Sequence, residues 1–504
     1  MDLLTFILCI LITTNLFFIA KIIKQAYSNL PPGPRPLPII GNLHQLGSKP
    51  HKSLAKLAQT HGPIMTLKLG QVTTVVISSA SAAKLVLQKH DRLFANRWIP
   101  DVTRACGHDQ ASMVWIPPSR KWRELRRICN AEIFSSSKME THGSLRIKRV
   151  DELIAQVRRS ASLDEVVLIG DVAFRTSLNV MSELILSVEM ADGKSEAVRE
   201  FKESFWCMME LLGTPNLVDY FPWLRLVDPQ RIQARQVIHF QKMLGFVDDT
   251  IGRRLARKAE EEEESSVSDN RDVLDTLINI MLESNGEFSR HEICHLLLDL
   301  IVAGTDTTSS TIEWAMTELI KSPNTMSKAK AELEQVTGKG TPIQERDVPQ
   351  LPYLQAIIKE TLRLHPAAPL LLPRKTLEEV SLSGFTIPKG TQIVVNAWRV
   401  GRDPETWDEA ECFKPERFLG SEIDFRGGSF ELIPFGGGRR ICPGLPLASK
   451  IMHLVLGSLI NTFDWRLEDG LLPEDIDMDD RFGLTLTKTR PLRLYAVPVP
   501  CTAI

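Results

Sequence analysis

The hydrophobic pattern opens with an unbroken run: residues 3–20 (LLTFILCILITTNLFFIA) are 18 residues without a charge, long enough at 1.5 Å per residue to approach the roughly 30 Å hydrocarbon core of a bilayer. Asp2 precedes the run, and Lys21 and Lys24 follow it. A cleavable signal would carry positive charge in front. The order therefore favours a retained transmembrane anchor over a cleaved signal or a buried core helix, with the main body on the cytosolic side. In residues 30–41 (LPPGPRPLPIIG) the prolines forbid helix and favour an extended strut, although a plain linker has the same composition. Alternation rich in β-branched residues marks 64–78, with a hairpin turn at Gly70-Gln71, and again 380–397 and 484–496. Most of the rest carries helical spacing. The expectation is one large body over 42–504, mainly α with small β-sheets and without internal repeats.

One helical segment is much longer than the others. Ser289-Arg-His-Glu292 is a capping-box signature, and no breaker follows until Ser322-Pro323, a span of about 50 Å that would cross a whole domain. In its middle lies Ala303-Gly304-Thr305-Asp306-Thr307-Thr308, poor helix formers where packing should be tightest. Threonines there can donate to carbonyls one turn back and open a polar notch; taken alone, the stretch reads equally as a small-residue helix crossing. Residues 260–264 are five glutamates followed by SSVSDN, which predicts a solvated loop.

Composition narrows the function. Sixty basic against 62 acidic residues leave a net charge of −2, without the electrostatic term that dominates nucleic-acid affinity, and no segment interleaves basic with aromatic residues. Nucleic acid is set aside as a partner. The eight cysteines are scattered without C-x-x-C or zinc-ribbon spacing, and no glycosylation sequon occurs, in keeping with a body outside the secretory lumen. His291-Glu292-Ile293-Cys294-His295 matches the HExxH zinc pattern. Its extension fails, because Leu298 and Ile301 stand where glycine and histidine are needed. Glu313 and Glu318 lie on the same straight helix and cannot fold back to complete a coordination sphere, so the match is expected to be accidental.

The strongest chemical signal is residues 434–444 (PFGGGRRICPG), followed by an apolar helix. A helix N-terminus and free backbone N–H groups favour thiolate over thiol, and glycines let the backbone approach a flat cofactor. A lone cysteine there could equally be buried and inert; the glycine and arginine spacing is what makes the pattern specific.

That loop resembles the FxxGxRxCxG signature of the cytochromes P450, the haem-thiolate monooxygenases. Residues 303–308 resemble the family's oxygen-binding groove, Glu360-Thr-Leu-Arg363 its ExxR motif, 413–418 (FKPERF) its PERF segment, and Trp122 with Arg126 its WxxxR. The resemblance runs from the anchor to the C-terminus. It implies the P450 fold and a haem b whose iron is bound axially by Cys442, the thiolate pushing electron density that favours O–O cleavage. It also implies that Arg440, Arg126, Trp122 and Arg374 hold the haem propionates, that Phe435 and Gly438 belong to the haem-binding loop, and that Glu360, Arg363 and Arg417 form a structural triad supporting the cysteine loop. Asp306 and Thr307 are the implied proton relay, with Ala303 and Gly304 leaving room for O2. NADPH would be used indirectly, through a reductase docking on the basic cluster Arg120, Lys121, Arg123, Arg126 and Arg127; an ordinary solvated helix face explains Arg120 and Arg123 as well.

Within the family the chain is most similar to plant microsomal enzymes of the geraniol-hydroxylating group, in the endoplasmic reticulum membrane. The implied substrate is a small lipophilic terpenoid, a monoterpenol or diterpene; tyrosine or another phenol is the alternative. A haem-thiolate sensor would not need Asp306-Thr307, and a zinc protease would rest on HEICH alone. Residues 102–115, 366–372 and 482–484 are expected to line the pocket, with Val102, Ala105, Val114, Ala367, Ala368, Leu370, Leu371, Phe482 and Leu484 as its apolar wall. Arg104, His108 and Asp109 are the polar groups that tyrosine would need. Pro366-Ala367-Ala368-Pro369 and Ile301 depart from commoner family residues at expected substrate-facing positions.

If residues 1–28 anchor the chain as read, protease added outside sealed microsomes should digest the main body. Protection of that body would reverse the topology.

Overall fold

The computed structural model describes residues 29–191, 195–263, 272–284, 286, 288–468 and 470–501. The anchor expected over 3–20 lies outside them, and no helix among the described residues is long and apolar enough to cross a membrane.

The β-branched runs flanking Gly70-Gln71 form the predicted hairpin. β1 (Ile64–Leu69) pairs antiparallel with β2 (Val72–Ile77), Ile64 facing Ile77. Three further segments, β3 (Asn96–Arg97), β4 (Arg374–Lys375) and β5 (Gln392–Val395), extend the sheet in the order β1-β2-β5-β4-β3, with β2 and β5 parallel. Pairing of β3 with β4 sets Arg97 directly opposite Arg374. Like charges in that register repel, so something in the site must make the register worthwhile. The proline segment is docked on this sheet rather than free. Thr66 N–H donates to the Pro32 carbonyl at 2.8 Å, and a Cβ on Gly33 would lie 1.9 Å from the Thr66 carbonyl oxygen, so only glycine fits.

Eight helices position the site: α1 (Pro50–His61), α2 (Arg120–Ile128), α3 (Ile169–Leu186), α4 (Glu196–Gly213), α5 (Ile232–Glu263), α6 (Arg290–Lys321), α7 (Pro352–Leu364) and α8 (Leu445–Thr462). α6 is the long helix read from its caps. Ser289 Oγ accepts the Glu292 N–H, and Glu292 Oε2 accepts the Ser289 N–H at 2.6 Å. It packs along α3, where the absent side chain of Gly304 is replaced by Met181: a Cβ there would come within 2.7 Å of the Met181 thioether. The glycine thus serves close helix packing. The threonines do bond one turn back, Thr305 to Ile301, Thr307 to Ala303 and Thr311 to Thr307, yet the helix runs through unbroken. The glutamate run differs from expectation. α5 continues to Glu263, because glutamate is a good helix former.

Two features of the sequence find structural roles. Glu360 receives paired bonds from Arg363 at 2.7 Å each and one from Arg417 at 3.1 Å, fully buried. Arg363 also donates to the carbonyls of Gly401, Ala410 and Cys412. The triad therefore ties α7 to the 401–417 segment, and the cysteine loop is braced by the next stretch, where Phe425 packs on Phe435 and Gly427 lies against Ile441. In HEICH, Glu292 is spent on the capping box and on Lys121 at 2.6 Å, and His295 Nδ1 is bonded to His108 Nδ1 at 2.8 Å. Among the described residues no group of three His, Cys, Asp or Glu side chains is placed to hold a metal ion.

Candidate active site

A cavity of about 330 Å³ lies between α6, the β3–β4 end of the sheet and the loop before α8. Its floor is the cysteine loop. The Cys442 N–H closes the loop on the Phe435 carbonyl at 3.0 Å, with Gly436 and Gly438 in the left-handed region. Gly436 faces the cavity, whereas a Cβ on Gly438 would strike the Leu87 carbonyl oxygen at 1.8 Å. Gly438 shapes the loop from behind. Of the described cysteines only Cys442 lines the cavity. Burial raises its thiol pKa, against the backbone N–H groups of Gly444 and Leu445 and the nearby Arg126, which act in the opposite direction. The helix-start effect read from sequence is present but outweighed, so the thiolate needs a further positive partner.

Beside the floor sits an excess of positive charge. Arg440 donates to the carbonyls of Ala95 at 3.0 Å, Met113 at 3.1 Å and Ile116, and lies 4.7 Å over the Trp122 ring. Arg374 donates to Gly437 O at 3.3 Å, while its Nη1 is buried without a partner. Arg97, which no motif identified, donates to Val114 O and Leu372 O. Burial, and then mutual repulsion, pull Arg440 down to about 9; burial alone takes Arg374 to about 10, and burial with both neighbours lowers Arg97 strongly. No carboxylate of the cavity wall faces these guanidinium groups, because the wall's one described acid, Asp299, is bonded to Ser112 and His108 instead. A dianionic flat group with a cationic centre fits both needs. Its acidic arms would satisfy the arginines, and its centre the Cys442 sulfur.

The upper wall is apolar. Ala303 and Thr307 of α6 face the cavity, and Thr307 Oγ1 donates to Ala303 O at 2.7 Å. Asp306 points away, toward the Thr485 hydroxyl; burial raises its pKa against the effects of Thr485 and Arg481. Phe435, Trp122, Arg126, Arg374 and Arg440 line the cavity, and so do Val114, Ala367, Ala368, Leu371 and Leu484 of the expected apolar wall. Four expected wall residues do not. Val102 packs with Leu211 and Ile232, Phe482 stacks on His51, Leu370 joins the β1–β2 cluster, and Ala105 is buried in the main core. Ile301 also faces the core, between the cavity residues Leu300 and Val302. Missed were Met181, Met208, Met209 and Phe240, contributed by α3, α4 and α5, segments with no motif to flag them.

Comparison with known proteins agrees with this geometry. The chain is 50% identical over 498 residues to geraniol 8-hydroxylase of Catharanthus roseus, covering 99% of each chain, and equally to the enzyme of that name from Swertia mussotii. It is 49% identical to 7-ethoxycoumarin O-deethylase of Helianthus tuberosus, over 99% of this chain and 100% of that one. A family model described as Cytochrome P450 matches residues 31–494. The chain belongs to the cytochrome P450 family and is a haem-thiolate monooxygenase.

Proposed function

We propose that this enzyme inserts one oxygen atom of O2 into a small terpenoid, a monoterpenol or diterpene, at the endoplasmic reticulum membrane, using electrons delivered from NADPH by a reductase. The observation that carries the reading is an apolar cavity whose floor is a single cysteine and whose wall is the Ala303–Thr307 face of α6, in a chain half identical to two geraniol hydroxylases. Cys442 would ligate the haem iron, Arg440, Arg374, Arg126, Trp122 and Arg97 would hold its acidic arms, and Phe435, Gly438 and Ala303 would shape its bed. When bound, the haem activates dioxygen, one atom going to the substrate and the other leaving as water.

The protein's own contribution is positioning and proton supply. Thr307 gives its hydroxyl proton to Ala303 O, so toward the cavity it acts as an acceptor and orients water. Asp306, one residue away, is buried, and burial raises its pKa toward the range of a proton carrier. Tyrosine is disfavoured because Arg104 is tied to Asp109 at 2.9 Å and neither lines the cavity, while His108, which does, is bonded to His295 and lies beside Asp299. The membrane reading draws support from exposed apolar side chains beside the proline segment. Ile39 and Ile40 adjoin the β1–β2 turn; Gln71 of that turn donates to the Tyr220 carbonyl, after which Trp223, Leu226 and Val227 are exposed. For the reductase, Arg123 and Arg127 remain on the outer face of α2, while Lys121 pairs with Glu292 and Arg126 turns inward.

Three measurements test this. The reduced carbon monoxide complex should show the red-shifted Soret band of thiolate ligation, lost in Cys442→Ser and kept in Cys294→Ser and His291→Ala; a serine variant retaining the band would sink the ligand assignment. Thr307→Ala should keep haem, form product about 10²-fold more slowly and divert NADPH to hydrogen peroxide. Unchanged coupling would place the relay elsewhere. Microsomes supplied with reductase and NADPH should give a low-spin to high-spin shift and a hydroxylated product with geraniol or a hydrocarbon diterpene, and neither with tyrosine. Turnover of tyrosine without any terpenoid response would reverse the substrate choice.

A further inference from the structure

We propose that Asp480, gripped from α1 by Lys52 and His51, is a positioning residue that holds the loop carrying Arg481 and Thr485 against Asp306, and so sets proton supply from outside the cavity. The inference rests on the reading of Asp306 and Thr307 as the proton relay.

Two groups favour the Asp306 carboxylate against its burial, the Thr485 hydroxyl and the charge of Arg481. Both belong to one hairpin. β6 (Asp480–Arg481) pairs antiparallel with β7 (Thr487–Lys488), Asp480 opposite Lys488, and the loop between them carries Leu484 and Thr485 to the cavity wall. The two strands form a sheet of their own, two residues each. A pairing that short does not hold itself, so the position of the loop is set by what grips each arm.

The β7 arm is gripped by α6 and its neighbours. The Leu486 carbonyl accepts Ser310 Oγ and the Trp314 indole, the Leu486 N–H donates to the Ala367 carbonyl at 2.8 Å, and Lys488 Nζ lies 4.7 Å over the Trp314 ring. The β6 arm is gripped from the opposite side, by the first turn of α1. Asp480 is buried, with Lys52 Nζ 2.5 Å from Oδ2, and with Lys49 Nζ at 3.6 Å and His51 Nε2 at 3.5 Å from Oδ1. Two residues on, the Phe482 ring stacks on the His51 imidazole at 5.6 Å and 15°, and Trp398 meets the same imidazole edge-on at 5.3 Å.

This second grip is kept at a cost. His51 is without solvent exposure, and both its ring nitrogens and Asp480 Oδ1 are buried without a hydrogen-bond partner. Burial would raise the Asp480 carboxyl, yet His51 and Lys52 hold it below the usual range, and burial keeps His51 low. A charge retained in so poorly satisfied a place adds little to stability and much to register. Asp480 also lies at the N-terminal end of α1, where an anion gains from the helix dipole and a one-residue slip of the strand would forfeit it. With both arms gripped, Thr485 and Arg481 are held at Asp306. With the β6 arm released, the loop turns about Leu486 and draws both away.

The test uses the full haem-loaded chain in lipid nanodiscs with reductase, NADPH and geraniol, and reads hydrogen peroxide released per NADPH consumed against pH, a ratio in which the rate of electron supply cancels. In wild type the peroxide share should rise with pH as Asp306 loses its proton. Thr485→Val removes a donor to the carboxylate and should move that rise about one pH unit higher. Asp480→Asn should move it in the same direction, with amide exchange at residues 482–486 about tenfold faster and the carbon monoxide spectrum unchanged. The direction is diagnostic, because loss of an anion acting through its field alone would move the rise to lower pH. In the double variant the two shifts should overlap rather than add. An unshifted or down-shifted profile in Asp480→Asn, an unshifted one in Thr485→Val, unchanged exchange, or full additivity overturns the proposal. If Asp480→Asn lacks haem, Lys52→Met is read in the same way, alone and with Thr485→Val; loss of haem in both makes the node a condition of folding and overturns its positioning role. Asp306→Asn separates the two readings. A flat profile in wild type, or a rise that persists in Asp306→Asn, overturns the relay and the proposal with it, whereas a rise abolished there but unmoved in Asp480→Asn overturns the proposal alone.

Discussion

A helix of 32 residues buried on nearly every side is the constraint around which the rest of the molecule is arranged. α6 is not purely apolar. It carries Thr305, Ser309, Ser310, Thr311, Glu313, Thr317 and Glu318 into the interior, and each must find a partner there. The threonines bond to their own helix, Ser310 and the Trp314 indole donate to the Leu486 carbonyl, Glu313 accepts the Leu492 N–H, and Glu318 meets His365 at 2.7 Å. These bonds fix the 485–492 loop and the end of α7 against the helix. Where the cover is withdrawn, at Ala303 and Thr307, the cavity begins.

That cavity has two electrically different ends. At the cysteine floor, three guanidinium groups share a desolvated space with a thiol whose burial favours its neutral form. Each is unfavourable alone, and the β3–β4 register that opposes Arg97 to Arg374 adds repulsion. A single group with a cationic centre and two anionic arms would relieve all of them together, and its binding would then stabilise the folded chain as well as equip it. The opposite end holds no cation facing inward, only Asp299 with its two donors, and the wall between is methionine, leucine and valine. Such a wall suits a neutral lipophilic guest.

What could be read from the sequence depended on how local the cause was. The capping box, the Gly70-Gln71 hairpin and the threonine back-bonds are settled within four residues, and they appear as expected. The cysteine loop and the Glu360-Arg363-Arg417 triad were legible because their chemistry tolerates few residue types. Arg97 was not, since its role follows from a strand register 277 positions away in the chain. Met181, Met208 and Phe240 reach the cavity only through the packing of α3, α4 and α5, and nothing in their spacing distinguishes them from core. Ile301 shows the opposite error, because two residues along a helix are a turn of about 200°, which sets it in the core across the helix from Ala303 on the cavity face.

The floor and the roof of the cavity are secured by different means, and this decides where it can open. The floor is pinned by arginine bonds to backbone carbonyls, by the Glu360–Arg363 pair without solvent exposure and by glycine contacts that admit no side chain. The roof joins the 101–107 turn to the 217–227 segment through a few polar contacts. The Asp101 N–H donates to Asp219 at 2.6 Å, and Arg225, itself partly exposed, reaches Asp101 at 2.5 Å. Only the small cluster of Val102, Leu211 and Ile232 backs them with apolar packing. Local opening follows the path with least buried apolar area and the most solvent-accessible polar bonds. Thr103 and Leu212 line the cavity on this side, and Trp223, Leu226 and Val227 of the 217–227 segment are exposed. The roof is therefore the part of the wall held least tightly, and local opening there leaves the cysteine floor undisturbed.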